Sequence, residues 1–145
     1  MFTDEYWMRE ALKEAHKALA KNEVPVGAVI VAGNRVIARA HNLTELLSDV
    51  TAHAEMQVIT AAASYLGGKY LKDCTLYVTL EPCFMCSGAL FWAQITRIVY
   101  GASDPKRGFS LSPVSPLHPA TEVTCGILET ECATLLKVFF EKKRK

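Results

Sequence analysis

Cys74-Thr75-Leu76-Tyr77-Val78-Thr79-Leu80-Glu81-Pro82-Cys83-Phe84-Met85-Cys86 decides how this chain folds. Residues 74–80, rich in β-branched and aromatic side chains, read as a buried strand. Glu81-Pro82 then predicts the opening of a helix through Ala93, with Pro82 near its first position. Residues 97–101 read as the next strand. Strand, helix and strand in succession imply a parallel pair with a right-handed crossover.

Working outward, residues 24–31 form an apolar run, Gly33-Asn34 is a two-residue hairpin signal, and residues 35–42 alternate as its return strand. Ahead of them, Met8, Leu12, Ala15 and Leu19 mark an amphipathic helix that Thr3 can cap. A second helix is predicted from His53 to Leu66, with Met56, Ile59, Ala63 and Leu66 on its buried face and Gly67-Gly68 as its stop. Residues 102–120 hold Pro105, Pro113, Pro116 and Pro119 and read as a long functional loop. A short strand at 122–124 precedes a last helix with Cys132, Leu135, Leu136, Phe139 and Phe140 as its stripe. The order α-β-β-α-β-α-β-β-α predicts an α/β fold, one mixed five-stranded sheet with helices on both faces.

The 145 residues fit one domain, and half of them are apolar, which excludes a disordered chain. The longest apolar stretch is too short to span a bilayer, so no membrane association is expected. Met1-Phe2-Thr3-Asp4-Glu5 is acidic where a signal peptide would be basic, which predicts a cytoplasmic protein. The net charge of +1 conceals a basic tail, residues 141–145, of net +3 and a body of −2. Contact with a polyanion must therefore rest on a local patch.

Two elements carry ligand-type side chains: His53-Ala54-Glu55 and Cys83-Phe84-Met85-Cys86. Cys83 and Cys86, three apart in a first helical turn, share a face, and a helix N-terminus favours thiolate. One imidazole and two thiolates suit Zn²⁺. His53 and Glu55 would diverge by about 200° on a continuous helix, so they share a site only where that helix begins. Two helix N-termini facing one another would hold a metal between them. Three protein ligands leave one position open, the mark of a catalytic zinc. Two thiolates neutralise the ion, so its water needs a base, and Glu55 is placed for that role. Cys-x-x-Cys alone is also compatible with a redox pair or half of a structural zinc site. The latter needs a fourth ligand from His16, His41, His118, Cys74, Cys125 or Cys132, none at motif spacing. Cys74, Cys125 and Cys132 are expected to be buried, inert thiols.

These two motifs together resemble the zinc-dependent cytidine/adenosine deaminase superfamily. Glu23-Val24-Pro25-Val26-Gly27-Ala28, Thr51-Ala52-His53-Ala54-Glu55-Met56 and residues 75–89 are similar to its bacterial tRNA adenosine deaminases. With residues 4–9 and Glu131-Cys132-Ala133, the resemblance spans nearly the whole chain. It implies a three-layer α/β/α cytidine-deaminase-like fold. The implied activity is hydrolytic conversion of adenosine to inosine at the wobble position of a tRNA anticodon. A homodimer with one Zn²⁺ per subunit and an anticodon stem-loop as partner go with it. Carried over residue by residue, His53, Cys83 and Cys86 hold zinc and Glu55 shuttles protons. Asn42 hydrogen-bonds the flipped nucleoside, while the Ala54 backbone and a wall of Val24, Pro25 and Leu80 shape the pocket. Asp104 lies beside the RNA backbone. Between Lys106 and Val123 the chain departs from the family pattern: the loop is shorter and prolyl and lacks an Asn-His pair. Charge adds Lys106, Arg107, Lys142, Lys143, Arg144 and Lys145 as candidate RNA contacts. The body charge of −2 leaves a free nucleobase or nucleotide (guanine, cytosine or deoxycytidylate) as the alternative substrate.

Overall fold

Alternation along three central strands divides the core into two layers. The computed structural model describes residues 2–144; the candidate contact Lys145 lies outside them. Five strands, β1 (Gly27–Ala32), β2 (Arg35–His41), β3 (Cys74–Leu80), β4 (Arg97–Ala102) and β5 (Glu122–Cys125), form one sheet in the order β2-β1-β3-β4-β5. Four helices accompany it: α1 (Asp4–Ala20), α2 (Ala54–Leu66), α3 (Phe84–Ala93) and α4 (Glu129–Lys143). β1 is antiparallel to β2 and β3, while β3, β4 and β5 are parallel. Ala32 pairs with Arg35 across Gly33-Asn34, both at positive φ (57° and 61°), as a tight hairpin requires.

Ala28, Ile30, Leu76, Val78 and Ile98 pack on one side with Val58 and Ala62 of α2 and Leu90 of α3. Val29, Val31, Tyr77 and Val99 pack on the other with Met8, Ala11 and Ala15 of α1 and Cys132 and Leu135 of α4. The result is the three-layer α/β/α arrangement. α1 approaches so closely that a Cβ on Gly27 would strike the backbone of Ala11 and Ala15. Thr3 caps α1 by accepting the Tyr6 N–H at 3.1 Å. Asp4 then receives both arms of Arg97 (2.8 and 2.7 Å) and the Tyr77 hydroxyl (2.8 Å), fastening the helix start to β3 and β4. No helix among the described residues is long and apolar enough to cross a membrane.

Four sequence expectations need correction. α3 begins at Phe84 rather than at Glu81-Pro82, because a residue before proline disfavours helix and this dipeptide bonds a later loop instead. The buried line of α2 is Ala54, Glu55, Val58 and Ala62, whereas Met56, Ile59 and Ala63 are half-buried and Leu66 is exposed. Small alanines let that line sit close to the sheet, and most of α2 is apolar, so periodicity could not choose the face. In α4, Cys132, Leu135 and Phe139 are buried but Leu136 is half-buried and Phe140 exposed, since α4 crosses only a narrow part of the sheet. Cys125 is exposed on the edge strand β5, not buried.

The Arg97 pair holds the Asp4 carboxyl below its ordinary 3.8. A depressed carboxyl contributes stability above its unfolded pKa and loses it as pH falls through the folded value. Asp4→Asn should therefore cost about 1–3 kcal/mol at neutral pH. The gap to wild type should close below about pH 4 in urea titrations; a gap that persists in acid would contradict this reading.

Candidate functional site

β3 delivers the chain to one end of the sheet, and α3 starts there with Cys83 as its N-cap residue. His53 is the N-cap residue of α2. Both have extended backbone (φ −76°, ψ 177° and φ −70°, ψ 153°), and neither side chain bonds its own helix end. The thiol and imidazole are thus left free to face each other. His53 Nδ1 lies 3.4 Å from Cys86 Sγ and 3.8 Å from Cys83 Sγ. The three donor atoms all fall within 4.8 Å, and no other such group forms among the described residues. A tetrahedral zinc with Zn–S of about 2.3 Å and Zn–N of about 2.0 Å requires N···S separations of about 3.5 Å. The donor set fits that ion, with one coordination position beyond what the chain supplies.

Cys83 is pulled down to about 4 by a hydrogen bond from the Cys86 thiol, helped by His53. The same bond, with burial, pushes Cys86 up, so the pair shares one proton. His53 is raised because it hydrogen-bonds to Cys83, the thiolate of the pair. Glu55 sits in the first turn of α2, 4% exposed, and burial raises it to about 7. It stands beside the donor set without belonging to it. Such a carboxyl can both accept and release a proton near neutrality.

The surrounding candidates converge on this end of the sheet. Gly27 N–H donates to Thr79 Oγ1 at 3.1 Å, drawing residues 24–26 to the end of β3. Val24 and Leu80, half-buried, pack on the same cluster as Ala54, and Pro25 is buried beside them in sequence. Asn42 is buried, and its N–H bonds the Val26 carbonyl at 3.1 Å. Gln57 Nε2 donates to the carbonyls of His41 (2.7 Å) and Ala52 (3.2 Å), tying the end of β2 to the start of α2. Asp104 follows β4, and its Oδ1 accepts the N–H groups of Lys106 and Arg107, both at 3.0 Å. The Lys106 and Arg107 residues are exposed. Lys142, Lys143 and Arg144 are exposed at the end of α4. Lys142 and Lys143 line a cleft of about 250 Å³ with Leu19, Asn22 and Phe139. Neither that cleft nor a larger one beside α3 includes the metal-type donors.

Sequence reading passed over three buried acids. Glu14 bonds His41 Nδ1 at 3.1 Å, next to Asn42. Glu23 accepts the N–H groups of Glu45 (3.0 Å) and Leu46 (2.7 Å), and Glu81 accepts those of Asp104 (3.0 Å) and Ser110 (2.9 Å). The available signal was a carboxylate embedded at the edge of an apolar string, in Glu23-Val24-Pro25 and Leu80-Glu81-Pro82.

Residues 1–102 match the cytidine and deoxycytidylate deaminase zinc-binding region. The chain belongs to this deaminase family. It is 49% identical to the tRNA-specific adenosine deaminase of Bacillus subtilis (strain 168), over all of this chain and 93% of that one. A solved structure from studies of A-to-I editing by tRNA:A34 deaminases at the wobble position of transfer RNA is 47% identical, with a TM-score of 0.85. That match covers 90% of this chain and 99% of the other. A guanine deaminase from Bacillus subtilis, 38% identical with a TM-score of 0.68, covers 70% of this chain and 66% of its own. The deaminase is a hydrolytic enzyme acting on a C–N bond.

Zinc should protect the Cys83 and Cys86 thiols, while burial shields Cys74 and Cys132. Thiol labelling of the zinc-loaded chain is then expected to modify Cys125 alone rapidly, with a chelator releasing Cys83 as a second fast site. Cys86→Ala should lower zinc affinity by more than about a hundredfold, beyond what the outer partners of a ligand contribute. Undiminished affinity by metal-competition titration would remove Cys86 from the site.

Proposed function

We propose that this chain is a zinc-dependent deaminase that converts adenosine to inosine at the wobble position of a tRNA anticodon. The observation that carries this reading is sequence identity of 47–49% over nine-tenths or more of this chain to tRNA adenosine deaminases, against 38% over 70% of it to a guanine deaminase. His53, Cys83 and Cys86 would hold one Zn²⁺ per subunit. When bound, the ion supplies Lewis acidity that makes water a nucleophile near neutral pH.

The protein's own residues do the rest. Glu55 accepts a proton from the attacking water and delivers it to N1 of adenine. The water oxygen adds at C6, and Glu55 then takes the proton of the new C6 hydroxyl and passes it to the departing amino group; the C–N bond breaks as the C6 carbonyl forms, so inosine and ammonia leave. Asn42 and the Ala54 backbone orient the flipped nucleoside between walls of Val24, Pro25 and Leu80. An anticodon loop is already partly unstacked, so splaying out its base costs little. Asp104 would stand beside the RNA backbone, with Lys106, Arg107, Lys142, Lys143, Arg144 and Lys145 as phosphate contacts. The whole of 1–145 then works as one catalytic domain, in the cytoplasm where tRNA is processed.

A homodimer completes this reading. Leu66 of α2 and Phe84, Met85 and Trp92 of α3 leave apolar surface uncovered on the α2–α3 layer, Trp92 being 77% exposed. A surface of this kind is characteristic of an interface, and a second copy would also widen the face offered to RNA.

The zinc-loaded protein should release inosine from an anticodon stem-loop bearing a wobble adenosine, and no ammonia from guanine, cytosine or deoxycytidylate. Ammonia from a free base alone would sink the proposal. Glu55→Ala should keep its zinc and lose at least about a hundredfold in turnover, the scale of a missing general acid–base group. Trp92→Glu should shift sedimentation from dimer toward monomer; a wild type that sediments as a monomer would refute the dimer.

A further inference from the structure

We infer that Glu81 is a positioning residue for the substrate, whose buried carboxylate holds the basic 103–111 loop against the turn that carries Cys83. This rests on the reading that the substrate is RNA.

Glu81 is 2% exposed, and no ion pair among the described residues includes it. A carboxylate buried without a cation persists only where hydrogen bonds satisfy it. Here each oxygen takes one backbone N–H from a different end of the loop: Asp104 to Oε1 at 3.0 Å and Ser110 to Oε2 at 2.9 Å. Two neighbouring residues add to the grip. Pro82 O accepts the Phe109 N–H at 3.1 Å, and Cys83 forms an isolated bridge with Gly108. Gly108 is pressed so close that a Cβ there would run into the Glu81 carboxylate. Glu81, Pro82 and Cys83 thus each hold the loop, and Cys83 belongs to the metal-type donor set.

What the loop carries gives the grip its purpose. Asp104 Oδ1 folds the chain into a tight turn by accepting the Lys106 and Arg107 N–H groups. Lys106 and Arg107 are exposed and join no ion pair among the described residues. They form a small cationic rim at a position fixed by the metal-ligand turn. A ribose-phosphate chain leaving the site meets such a rim, whereas a free base does not reach it. Glu81 acts through this loop and touches no reacting atom.

The test uses the zinc-loaded full chain and the anticodon stem-loop. Glu81→Gln keeps the shape but sets an amide NH₂ against one of the two loop N–H groups. KM is expected to rise roughly tenfold, the scale of a lost charge-assisted hydrogen bond, with a much smaller fall in kcat and unchanged zinc content. Gly108→Ala forces the loop and the Glu81 carboxylate apart while leaving residue 81 chemically unchanged, and should reproduce the KM effect, which keeps the test open if Glu81→Gln misfolds. Adding Lys106→Ala and Arg107→Ala to either variant should cost little further, because the cations are already out of place. Fully additive losses, or equal falls in zinc content and kcat, would overturn the proposal. Unaltered KM in both variants, with normal wild-type turnover, would overturn this proposal alone. A wild type that leaves the stem-loop untouched would overturn the RNA reading and this proposal with it.

Discussion

Two helices that must begin at the same place impose the main constraint on this molecule. α2 starts after His53 and α3 after Cys83, both at the end of the sheet where β3 terminates. N-cap residues ordinarily satisfy exposed helix N–H groups with their side chains. Here the imidazole and the thiol are withheld from that role and meet each other instead. The uncapped helix ends keep their partial positive charge, which favours thiolate at Cys83 and suits an anionic centre between them. The parallel β3–α3–β4 unit and the close seat of α1 over Gly27 serve to keep these two ends opposed.

Around that meeting point the protein spends its buried charge. Central strands carry almost only apolar side chains into either core. The buried acids Glu23, Glu55 and Glu81 lie on segments leading to or from the site, and Glu14 of α1 bonds His41 at the end of β2. Glu23 and Glu81 each collect two backbone N–H groups from a loop. Such charge-assisted bonds contribute about 1.5–3 kcal/mol each, enough to hold irregular backbone that has no ladder of its own. Glu55 has a different balance: burial lifts its pKa and leaves it available for proton transfer. One residue type therefore serves as anchor or as acid–base group according to what its oxygens meet.

Much of this was legible in the primary structure. Strand order along the chain, the Gly33-Asn34 hairpin and the Thr3 cap follow from short-range patterns that tertiary context did not disturb. The meeting of His53, Cys83 and Cys86 was legible because ligand chemistry combined with helix-start spacing admits few arrangements. The face of α2 was not legible, because apolar residues surround most of it and only packing selects Ala54, Val58 and Ala62. Cys125 misled for a related reason: its strand pattern says nothing about lying on the sheet edge.

By itself, the sequence determined the elements, the family and the donor atoms, since each depends on residues close together or on side-chain chemistry. Only the tertiary structure decided which residues guard the site. The Glu81 bonds link residue 81 to residues 104 and 110, and those from Glu23 reach residues 45 and 46. No periodicity encodes such pairings, because they join a side chain to backbone N–H groups that every non-proline residue has. Folding alone brings those groups within reach of a carboxylate and so fixes the 103–111 loop against the turn that carries Cys83.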